Sequence, residues 1–453
     1  MKIIVCVKIV EGAINPFDEC ALEAALSVDN ADVTVISMCP PSSKTALLPI
    51  TRLGVKRVIL LSDACFAGSD TYVTAYILSE AIKKLEYDMI FCGRQTIDGE
   101  TAQVGAELSA MLGISLITNV MEVNEVYESG VQCTTRIGAE KADLPALLTI
   151  ERINKLRFPS IRSKLGVVEI WDNSVINANN SKCGLAASPT RVLKTFESEK
   201  GRRKCRFIKR EELLPLISEL SKKPKRDIYI EESGKKLKSV WAVGDEVLKQ
   251  AEAIADNVIV LKNISLHEIV KKAMAEKPDV ILWNADLWGR RNAPVAAALL
   301  ETGLCADCTA LETDGEKLFM YRPAKGGRIT AKIGCKTKPQ MATVRTQSDS
   351  GDIIVAGGKG VRDKLAELKQ LSDSIDAEIC ASRGLVDMGT VPYDMQVGLT
   401  GKMVAPKIYI AIGISGAVHH TCAIENADVV IAINPDKNAR IFEYADYGIA
   451  DEF

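Results

Sequence analysis

Two loops rich in small residues, near the end of the chain, carry the side chains best suited to hold a ligand. The first covers residues 396–402, and the second ends an apolar run at 407–420. Backbone N–H groups at such a turn, where a helix begins, attract a phosphate or pyrophosphate. A tight connection without any ligand fits the same pattern. The turns hold four polar side chains that also suit a polar ring system: Thr400, Ser415, His419 and His420.

A second candidate site follows a predicted strand in the first third of the chain. Residues 92–103 read Cys-Gly-Arg-Gln-Thr-Ile-Asp-Gly-Glu-Thr-Ala-Gln and precede a predicted helix. We expect Asp98 to cap that helix and Gly99 to let the backbone approach a phosphate closely. Ordinary N-capping without a ligand explains these residues equally well. The neighbouring helix begins with three polar residues that can add contacts: Asp70, Thr71 and Thr74.

The remaining polar motifs exclude some kinds of site. Arg383, after a predicted strand, can neutralise a phosphate or stack on a flat ring, or it can pair with Asp387 on the surface. The turn at 357–360 lacks the Gly-x-Gly-x-x-Gly spacing and acidic residue of an ordinary NAD site. The lobes contain no Ser-His-Asp order, His-Glu-x-x-His motif or carboxylate pair that favours hydrolysis.

Composition and charge indicate a soluble, cytoplasmic protein. The net charge is −2, which favours neither nucleic acid nor an anionic membrane as partner. No apolar run approaches the roughly 18 residues of a transmembrane helix, and the first apolar run is too short for a secretory signal. Thirteen dispersed cysteines indicate reduced thiols. Cys305 and Cys308 form one Cys-x-x-Cys without a partner pair, so we expect no metal site.

The hydrophobic pattern predicts an α/β fold. Apolar runs of four or five residues without alternation indicate parallel strands buried on both faces and covered by helices. The first 150 residues therefore predict a doubly wound domain. Its predicted strands are 3–7, 33–38, 58–61 and 89–92, and its predicted helices are 19–27, 43–53, 71–85 and 101–112.

Two further α/β lobes are predicted after an irregular stretch at 151–200. The basic segment 199–226 is helix-prone, and we interpret its charges as those of a solvated linker. The first two lobes could be relatives, because each has a strand followed by Gly-Arg, at 93–94 and 289–290. The second lobe has predicted strands at 228–230, 258–261, 280–283 and 317–321. The third has predicted strands at 353–355, 378–381, 408–412 and 429–433, and a helix ending at 374.

Many short motifs occur in order along nearly the whole chain. In the first half they lie at 7–8, 15–18, 37–38, 93–103, 144–147 and 188–191. In the second half they lie at 289–294, 302–309, 322–327, 339–345, 382–383, 396–402, 413–420, 432–436 and 445–448. Together they resemble electron transfer flavoproteins, with the beta and alpha subunits fused in one chain. The resemblance implies a beta-like domain at 1–200, a basic linker at 201–226, an alpha N-terminal domain at 227–346 and a C-terminal, Rossmann-like FAD-binding domain at 347–453. The two nucleotide-binding-like domains that precede the last one are expected to be related doubly wound folds.

The resemblance implies one FAD in the C-terminal lobe. Arg383 is then expected against the flavin ring and Thr400 near its reactive nitrogen, while His420 is expected to stabilise negative charge on the reduced ring. Lys359, Leu399, His419 and Glu452 differ from the residues usual in the family. The expected FAD contacts are Lys359, Ser382, Arg383, Gln396, Val397, Gly398, Leu399, Thr400, Gly401, Ser415, Gly416, Ala417, Val418, His419, His420, Asn434 and Glu452.

The resemblance also implies a second nucleotide, FAD or AMP, in the beta-like lobe. AMP is usual in simple carriers, whereas electron-bifurcating members hold a second FAD, which the segments 68–74 and 93–99 favour. The family usually has a longer hairpin between Lys8 and Asn15. The expected contacts are Cys6, Asn15, Met38, Asp70, Thr71, Thr74, Gln95, Asp98, Gly99, Thr101, Ala102 and Gln103.

The implied function is electron transfer without substrate turnover, as in fatty acid β-oxidation. FAD is expected to carry electrons between an acyl-CoA dehydrogenase-type flavoprotein and another redox partner, recognised through residues 155–190. The alternative is an electron-bifurcating NADH oxidoreductase with two FAD, which passes electrons to ferredoxin and an acyl-CoA dehydrogenase. A protein that binds nucleotides without redox chemistry is a second alternative. The fused chain is expected to replace the usual alpha–beta heterodimer.

Overall fold

The computed structural model describes residues 1–152, 154–197, 202–225, 234–325, 327, 329–347 and 350–453. These residues form two compact units. The first comprises those within 1–195, 232–325 and 331–344, and the second those within 196–231, 326–330 and 345–453. Helices and mainly parallel strands build both units, which confirms the predicted α/β class.

The first lobe is built on a nine-stranded sheet whose central strands are parallel and buried. Strands and helices alternate there because the apolar runs need helices on both faces. In sheet order the strands are Val168–Trp171, Arg57–Leu61, Asp32–Met38, Lys2–Cys6, Met89–Gly93, Ala146–Ile150, Ser115–Tyr127, Gly130–Thr135 and Gly138–Asp143. Its longer helices are Pro16–Leu26, Thr71–Ile82 and Val104–Leu112.

Three local details of this lobe differ from the sequence pattern. The predicted helix 43–53 is broken into a four-residue helix, Lys44–Leu47, between two 3₁₀ turns, and Pro49 lies in the second. Ile9–Val10 and Ala13–Ile14 form a minimal hairpin, whose turn residues Glu11 and Gly12 both have positive φ. The strands at 115–143, which pair with one another in antiparallel fashion from Val120 onwards, were not predicted.

The second lobe repeats the central topology of the first. In sheet order its strands are Ala255–Leu261, Leu237–Val243, Val280–Asn284, Gln340–Val344 and Leu304–Cys308. The same order joins five strands of the first lobe. A cis proline directly precedes the equivalent strands Ala146–Ile150 and Gln340–Val344. The equivalent helices Val104–Leu112 and Leu287–Leu299 pack against each other. The predicted strand 228–230 lies outside the described residues.

The second lobe also carries a small separate sheet and two further helices. The sheet joins Thr190–Glu197, Ile329–Cys335, Leu318–Ala324 and Ala310–Thr313 in that order. The helices are Leu248–Ile254 and Leu266–Glu276, of which the second begins with a capping box between Ser265 and Glu268.

The C-terminal lobe has a Rossmann strand order. Its sheet runs Arg206–Phe207, Tyr447–Ile449, Val429–Ile433, Ile408–Ile412, Ile353–Gly357, Glu378–Ser382 and Gln396–Val397. The strand order therefore reverses between Ile353–Gly357 and Ile408–Ile412, and open α/β sheets bind ligands outside the carboxyl ends of strands at such a point. The helices of the lobe are Leu213–Ser221, Leu365–Ser374, Arg383–Val386 and Val418–Thr421.

The described part of the basic segment is not a solvated linker. Arg206–Phe207 pairs in parallel with Tyr447–Ile449 at the edge of the C-terminal sheet. Leu213, Ile217 and Leu220 are buried in the core of the same lobe. These apolar positions lie on one helix face, and their burial outweighs the preference of the surrounding charges for solvent.

We expect I217A to destabilise the C-terminal lobe by about 3 kcal/mol, because it leaves a cavity where Ile217 is 3% exposed. Hydrogen exchange of the full chain should show faster exchange in the strands Ile353–Gly357 and Ile408–Ile412. Leu214 lies on the same helix but is 52% exposed, so L214A is the control and should leave exchange unchanged. Equal exchange in both variants would mean that the helix does not support this core.

Candidate functional site

The switch point of the C-terminal sheet brings two glycine turns together. A Cβ at Gly358 would overlap the carbonyl oxygen of Gly413, and Gly360 packs against the same residue. The amide of Gly358 donates to Ile412 O at 2.8 Å. A side chain is therefore excluded at Gly358 and crowded at Gly360, and the backbone itself lines this part of the crevice.

The turn after strand Ile408–Ile412 also needs glycine at Gly416. Its φ is +85°, and a Cβ there would overlap the amide nitrogen of Ile441. The Ile441 amide donates to Ser415 O at 3.2 Å, which fastens the turn to residues 440–441. The predicted helix after this turn is a single turn, Val418–Thr421, so its macrodipole is small. Individual N–H groups are what the turn offers a ligand.

The loop 396–402 joins this turn directly. The Leu399 amide donates to His419 O at 2.6 Å, and the Lys402 amide donates to Gln396 O at 2.8 Å. Gly398 has a φ of +152°, and a Cβ there would lie 3.0 Å from His419 O. The two loops that the sequence separates thus form one continuous backbone surface.

A buried polar pair lies within this loop. Gln396 is 1% exposed, and its Nε2 donates to Thr400 Oγ1 at 2.7 Å, while Tyr393 donates its hydroxyl to Thr400 O. Among the described residues, Gln396 Oε1 has no hydrogen-bond partner. The Thr400 hydroxyl accepts from Gln396 and keeps its own proton to donate. The pair therefore offers one acceptor and one donor to a polar ligand.

His420 is neutral, and its tautomer follows from its partners. Its Nδ1 lies 3.1 Å from Val397 O, which can only accept, so Nδ1 carries the proton. Its Nε2 then accepts from the Tyr409 hydroxyl at 2.9 Å. Burial lowers the pKa of His420 to about 4, although the Val397 carbonyl opposes this shift. His420 is therefore not a permanent cation. The role expected of it, stabilising negative charge, would have to be performed by a neutral ring.

Tyr409 was not predicted as a site residue. It is the one residue with a hydroxyl in the apolar run Ile408–Ile412, and it is fully buried. A hydroxyl in a strand buried on both faces needs a hydrogen-bond partner, and this requirement is the signal that could have identified it.

The other predicted residues of this lobe divide into two groups. Asn434 supports the second glycine turn, because its Nδ2 donates to Ile414 O at 3.0 Å. Arg383, directly after Ser382, pairs at 3.1 Å with Asp387, which lies one helical turn further along the chain. A Cβ at Gly384 would meet the side chain of Lys359, which lies along this helix. Glu452 is exposed, and its described contacts are with Lys364 and Arg210 rather than with the glycine turns. Val397, Gly401, Ala417 and Val418 belong to the two loops.

In the first lobe, Asn15 and Asp98 organise the loop 92–103. Asn15 donates to Gln95 O at 2.9 Å and accepts from the Ile97 amide at 3.2 Å. Asp98 does not cap the helix as predicted, because Glu100 and Ala102 have positive φ and the helix begins at Val104. Asp98 instead accepts from the Gly99 amide at 2.8 Å and pairs with Lys8 at 2.6 Å. Lys8 lowers the pKa of Asp98 against the opposing effect of its burial.

The remaining first-lobe residues lie around the same edge of the sheet. Cys6 and Met38 end neighbouring parallel strands, and Cys6 pairs with Cys92 in register. Asp70 caps its helix through the Val73 amide at 3.1 Å. The side chains of Thr71 and Gln103 are bonded to each other at 3.1 Å, whereas Thr74 and Thr101 make no such bond with them.

Comparison with known proteins identifies the family. The electron transfer flavoprotein domain matches residues 3–174 and 232–366, and the electron transfer flavoprotein FAD-binding domain matches residues 349–425. The chain belongs to the electron transfer flavoprotein family. This confirms the resemblance predicted from the motifs, and the second match supports flavin binding.

Relatives of both subunit types resemble this chain. The electron transfer flavoprotein subunit alpha of Thermoanaerobacterium thermosaccharolyticum is 38% identical over 254 residues, covering 44% of this chain and 77% of the relative. The subunit beta of Clostridium acetobutylicum is 38% identical over 207 residues, covering 42% and 78%. Protein FixB of Clostridium saccharobutylicum is 34% identical over 258 residues, covering 45% and 77%. Similarity to both subunits is consistent with a fused beta–alpha flavoprotein.

The described residues of the C-terminal lobe fit a flavin nucleotide. The two loops expose backbone where side chains are excluded, as a phosphate requires, and Gln396 Oε1 is a buried acceptor suited to a ring N–H. In the described ranges, no cluster of His, Cys, Asp and Glu could hold a metal. None of the helices there combines the length and apolar character needed to span a membrane.

We expect G416A to lose FAD, because alanine at φ +85° would overlap the backbone of Ile441. FAD per chain in purified protein should fall at least about tenfold, as expected for a loss of about 1.4 kcal/mol or more. Gly389 is the matched control, since its φ is +70° but a Cβ there meets nothing within 4 Å. Full FAD content in a folded G416A protein would contradict this account of the turn.

We expect one histidine to titrate near pH 4, as burial lowers the pKa of His420. The unfolded chain takes up this proton near pH 6.5, so the protein loses about 3 kcal/mol of stability as pH falls from 6.5 towards 4. NMR of ¹⁵N-labelled histidine suits this test, because the chain has three histidines. H420N should remove the signal that titrates near pH 4. If H420N instead removes a signal that titrates near pH 6.5, the buried neutral state of His420 is refuted.

Proposed function

We propose that this chain is a fused beta–alpha electron transfer flavoprotein that holds one FAD in residues 347–453. The observation that carries the proposal is the continuous backbone surface of the two glycine loops at the switch point, joined by the bond from Leu399 N to His419 O. Sheet topology and loop chemistry thus agree on one binding site.

When bound, FAD supplies reversible electron transfer, and the protein controls its position and electrostatics. The glycine loops would hold its phosphates and ring edge through backbone N–H groups. Gln396 and Thr400 would hydrogen-bond to polar ring atoms, as acceptor and donor respectively. His420 would contribute a neutral dipole fixed by Tyr409 and Val397, and Arg383 with Lys359 would add positive charge at the neighbouring strand end.

We further propose that the first lobe binds a second nucleotide at the loop 95–103. Positive φ at Glu100 and Ala102 supports this, because backbone strain in non-glycine residues is concentrated at functional sites. Such alternating backbone conformations also present N–H groups to anions. The nucleotide would be AMP in a simple carrier and FAD in the bifurcating alternative.

The partner in our proposal is an acyl-CoA dehydrogenase-type flavoprotein, which would bind within residues 155–190. Phe158 is 95% exposed and Ile161 is 98% exposed. The segment is nevertheless anchored, since Arg157 pairs with Glu23 at 2.8 Å and Arg52 donates to Ser163 O at 3.2 Å. Exposed apolar side chains on an anchored segment are typical of a protein-binding surface.

The nucleotides released on denaturing the purified protein test the cofactor assignment. One FAD with one AMP per chain supports a simple carrier and removes bifurcation. Two FAD without AMP favour the alternative, in which NADH alone reduces the protein and ferredoxin is an acceptor. A chain that takes up no FAD would contradict both and leave a non-redox nucleotide-binding protein.

We expect F158A and I161A each to slow electron transfer with an acyl-CoA dehydrogenase by about fivefold to thirtyfold, through the loss of apolar contacts of about 1–2 kcal/mol. Stopped-flow measurement of flavin reduction, as a function of dehydrogenase concentration, shows the effect. Ile137 is 66% exposed elsewhere in the same unit, so I137A is the control. FAD content should be unchanged in all three, and equal rates would exclude this segment as the partner surface.

A further inference from the structure

A buried carboxyl group lies on the helix of the first lobe that packs against the second lobe. Glu107, in the first turn of helix Val104–Leu112, has no exposed surface. Its Oε1 lies 3.0 Å from Thr71 Oγ1, and among the described residues its Oε2 has no hydrogen-bond partner. An ionised carboxylate in such a place is costly unless cations or several donors surround it.

The carbonyl group of Leu304 fixes the direction of the hydrogen bonds that link Gln103, Thr71 and Glu107. This carbonyl can only accept, so Gln103 donates to it through Nε2 at 3.0 Å. The Oε1 of Gln103 therefore faces Thr71 Oγ1 at 3.1 Å, and its hydrogen bond to Thr71 forms only if it accepts the single Thr71 proton. Thr71 is then an acceptor towards Glu107. The bond between Thr71 and Glu107 consequently needs a proton on the carboxyl group.

Among the described residues, the groups that act on the pKa of Glu107 include no cation. Asp70, at the start of the neighbouring helix, raises the pKa of Glu107 further, after the larger effect of burial. Tyr72 on that helix is close to both Glu107 and Glu301. Glu301 lies just after the helix Leu287–Leu299 of the second lobe, which faces Glu107's helix. The two arginines of the facing helix are engaged elsewhere: Arg290 pairs with Asp307, and Arg291 pairs with Glu140.

We propose that Glu107 carries a proton in the native protein and that this proton completes a chain of hydrogen bonds, Glu107–Thr71–Gln103–Leu304, that fastens the loop 95–103 to the second lobe. Glu107 is a positioning residue, because it acts on the loop through Thr71 and Gln103. Ionisation at alkaline pH removes the donor, leaves Thr71 with two acceptors, and releases the loop.

This chain of bonds has a consequence for ligand binding. The side chains of Thr71 and Gln103 are used between the lobes, so they shape the loop rather than contact a nucleotide themselves. Binding of AMP or FAD in the first lobe should weaken as Glu107 ionises. That consequence rests on the proposed second nucleotide site, whereas the proton and the link between the lobes do not.

Infrared difference spectra of the wild-type full chain minus E107Q test the proton directly. We expect the carbonyl stretch of a protonated carboxylic acid at neutral pH and its loss at alkaline pH. Absence of this band at neutral pH would overturn the proposal. A pH titration of the wild-type band alone gives the same test if a variant does not fold.

Hydrogen exchange tests the link to the loop. In the wild type, the protection factors of amides in 95–103 should fall about tenfold or more from neutral to alkaline pH, the effect of losing a buried hydrogen bond. E107Q keeps a donor at every pH and should keep the protection, whereas E107A should lack it throughout. Parallel pH dependence in the wild type and E107Q would contradict the role of this proton. FAD content of the C-terminal lobe should not differ among the three proteins, which separates this test from that of flavin binding.

Discussion

Close backbone contact at the C-terminal switch point is the constraint on which the candidate flavin site depends. The turns at Gly358 and Gly413 touch through backbone atoms, and Gly416 touches the backbone of Ile441. A side chain at any of these positions would separate the strands' carboxyl ends or fill the crevice. The sheet order creates the crevice, and glycine keeps it lined by N–H and carbonyl groups. The loop 396–402 then completes the surface through its bond to His419.

Burial and the direction of hydrogen bonds together determine the protonation state of buried polar groups in both units. His420 is neutral because it is buried, and in the neutral ring Nδ1 donates to the Val397 carbonyl while Nε2 accepts from Tyr409. Glu107 needs its proton because the Leu304 carbonyl sets the orientation of Gln103 and Thr71. In each case a carbonyl that can only accept fixes the direction of the hydrogen bonds around it, which sets the tautomer of His420 and the orientation of Gln103. Burial makes the charged form of both His420 and Glu107 costly, which favours the same neutral forms that the hydrogen bonds accommodate.

The strands were predictable from the sequence where burial alone determines them. Ile408–Ile412 and Val429–Ile433 have the predicted bounds, because both are apolar runs flanked by polar or small residues. The described part of the segment 199–226 was interpreted wrongly, since its many charges concealed the spacing of Leu213, Ile217 and Leu220. That spacing is the helical signal that favours burial on one face.

The site residues were less predictable, because their roles depend on tertiary contacts. Asp98 has a capping sequence, but positive φ at Glu100 and Ala102 delays the helix, and no local pattern indicates this conformation. The pairing of Gln396 with Thr400 is local and could be expected, whereas the bond from Gln103 to Leu304 spans two lobes. A sequence motif thus locates a site more reliably than it assigns each side chain a role.

Hydrogen exchange of the full chain, depleted of flavin and then reconstituted with FAD, tests the central claim most directly. The account predicts that FAD protects amides in 396–402 and 413–420, because backbone N–H groups of both loops would hold the cofactor. Protection confined to other segments, or no protection on saturation with FAD, would contradict it.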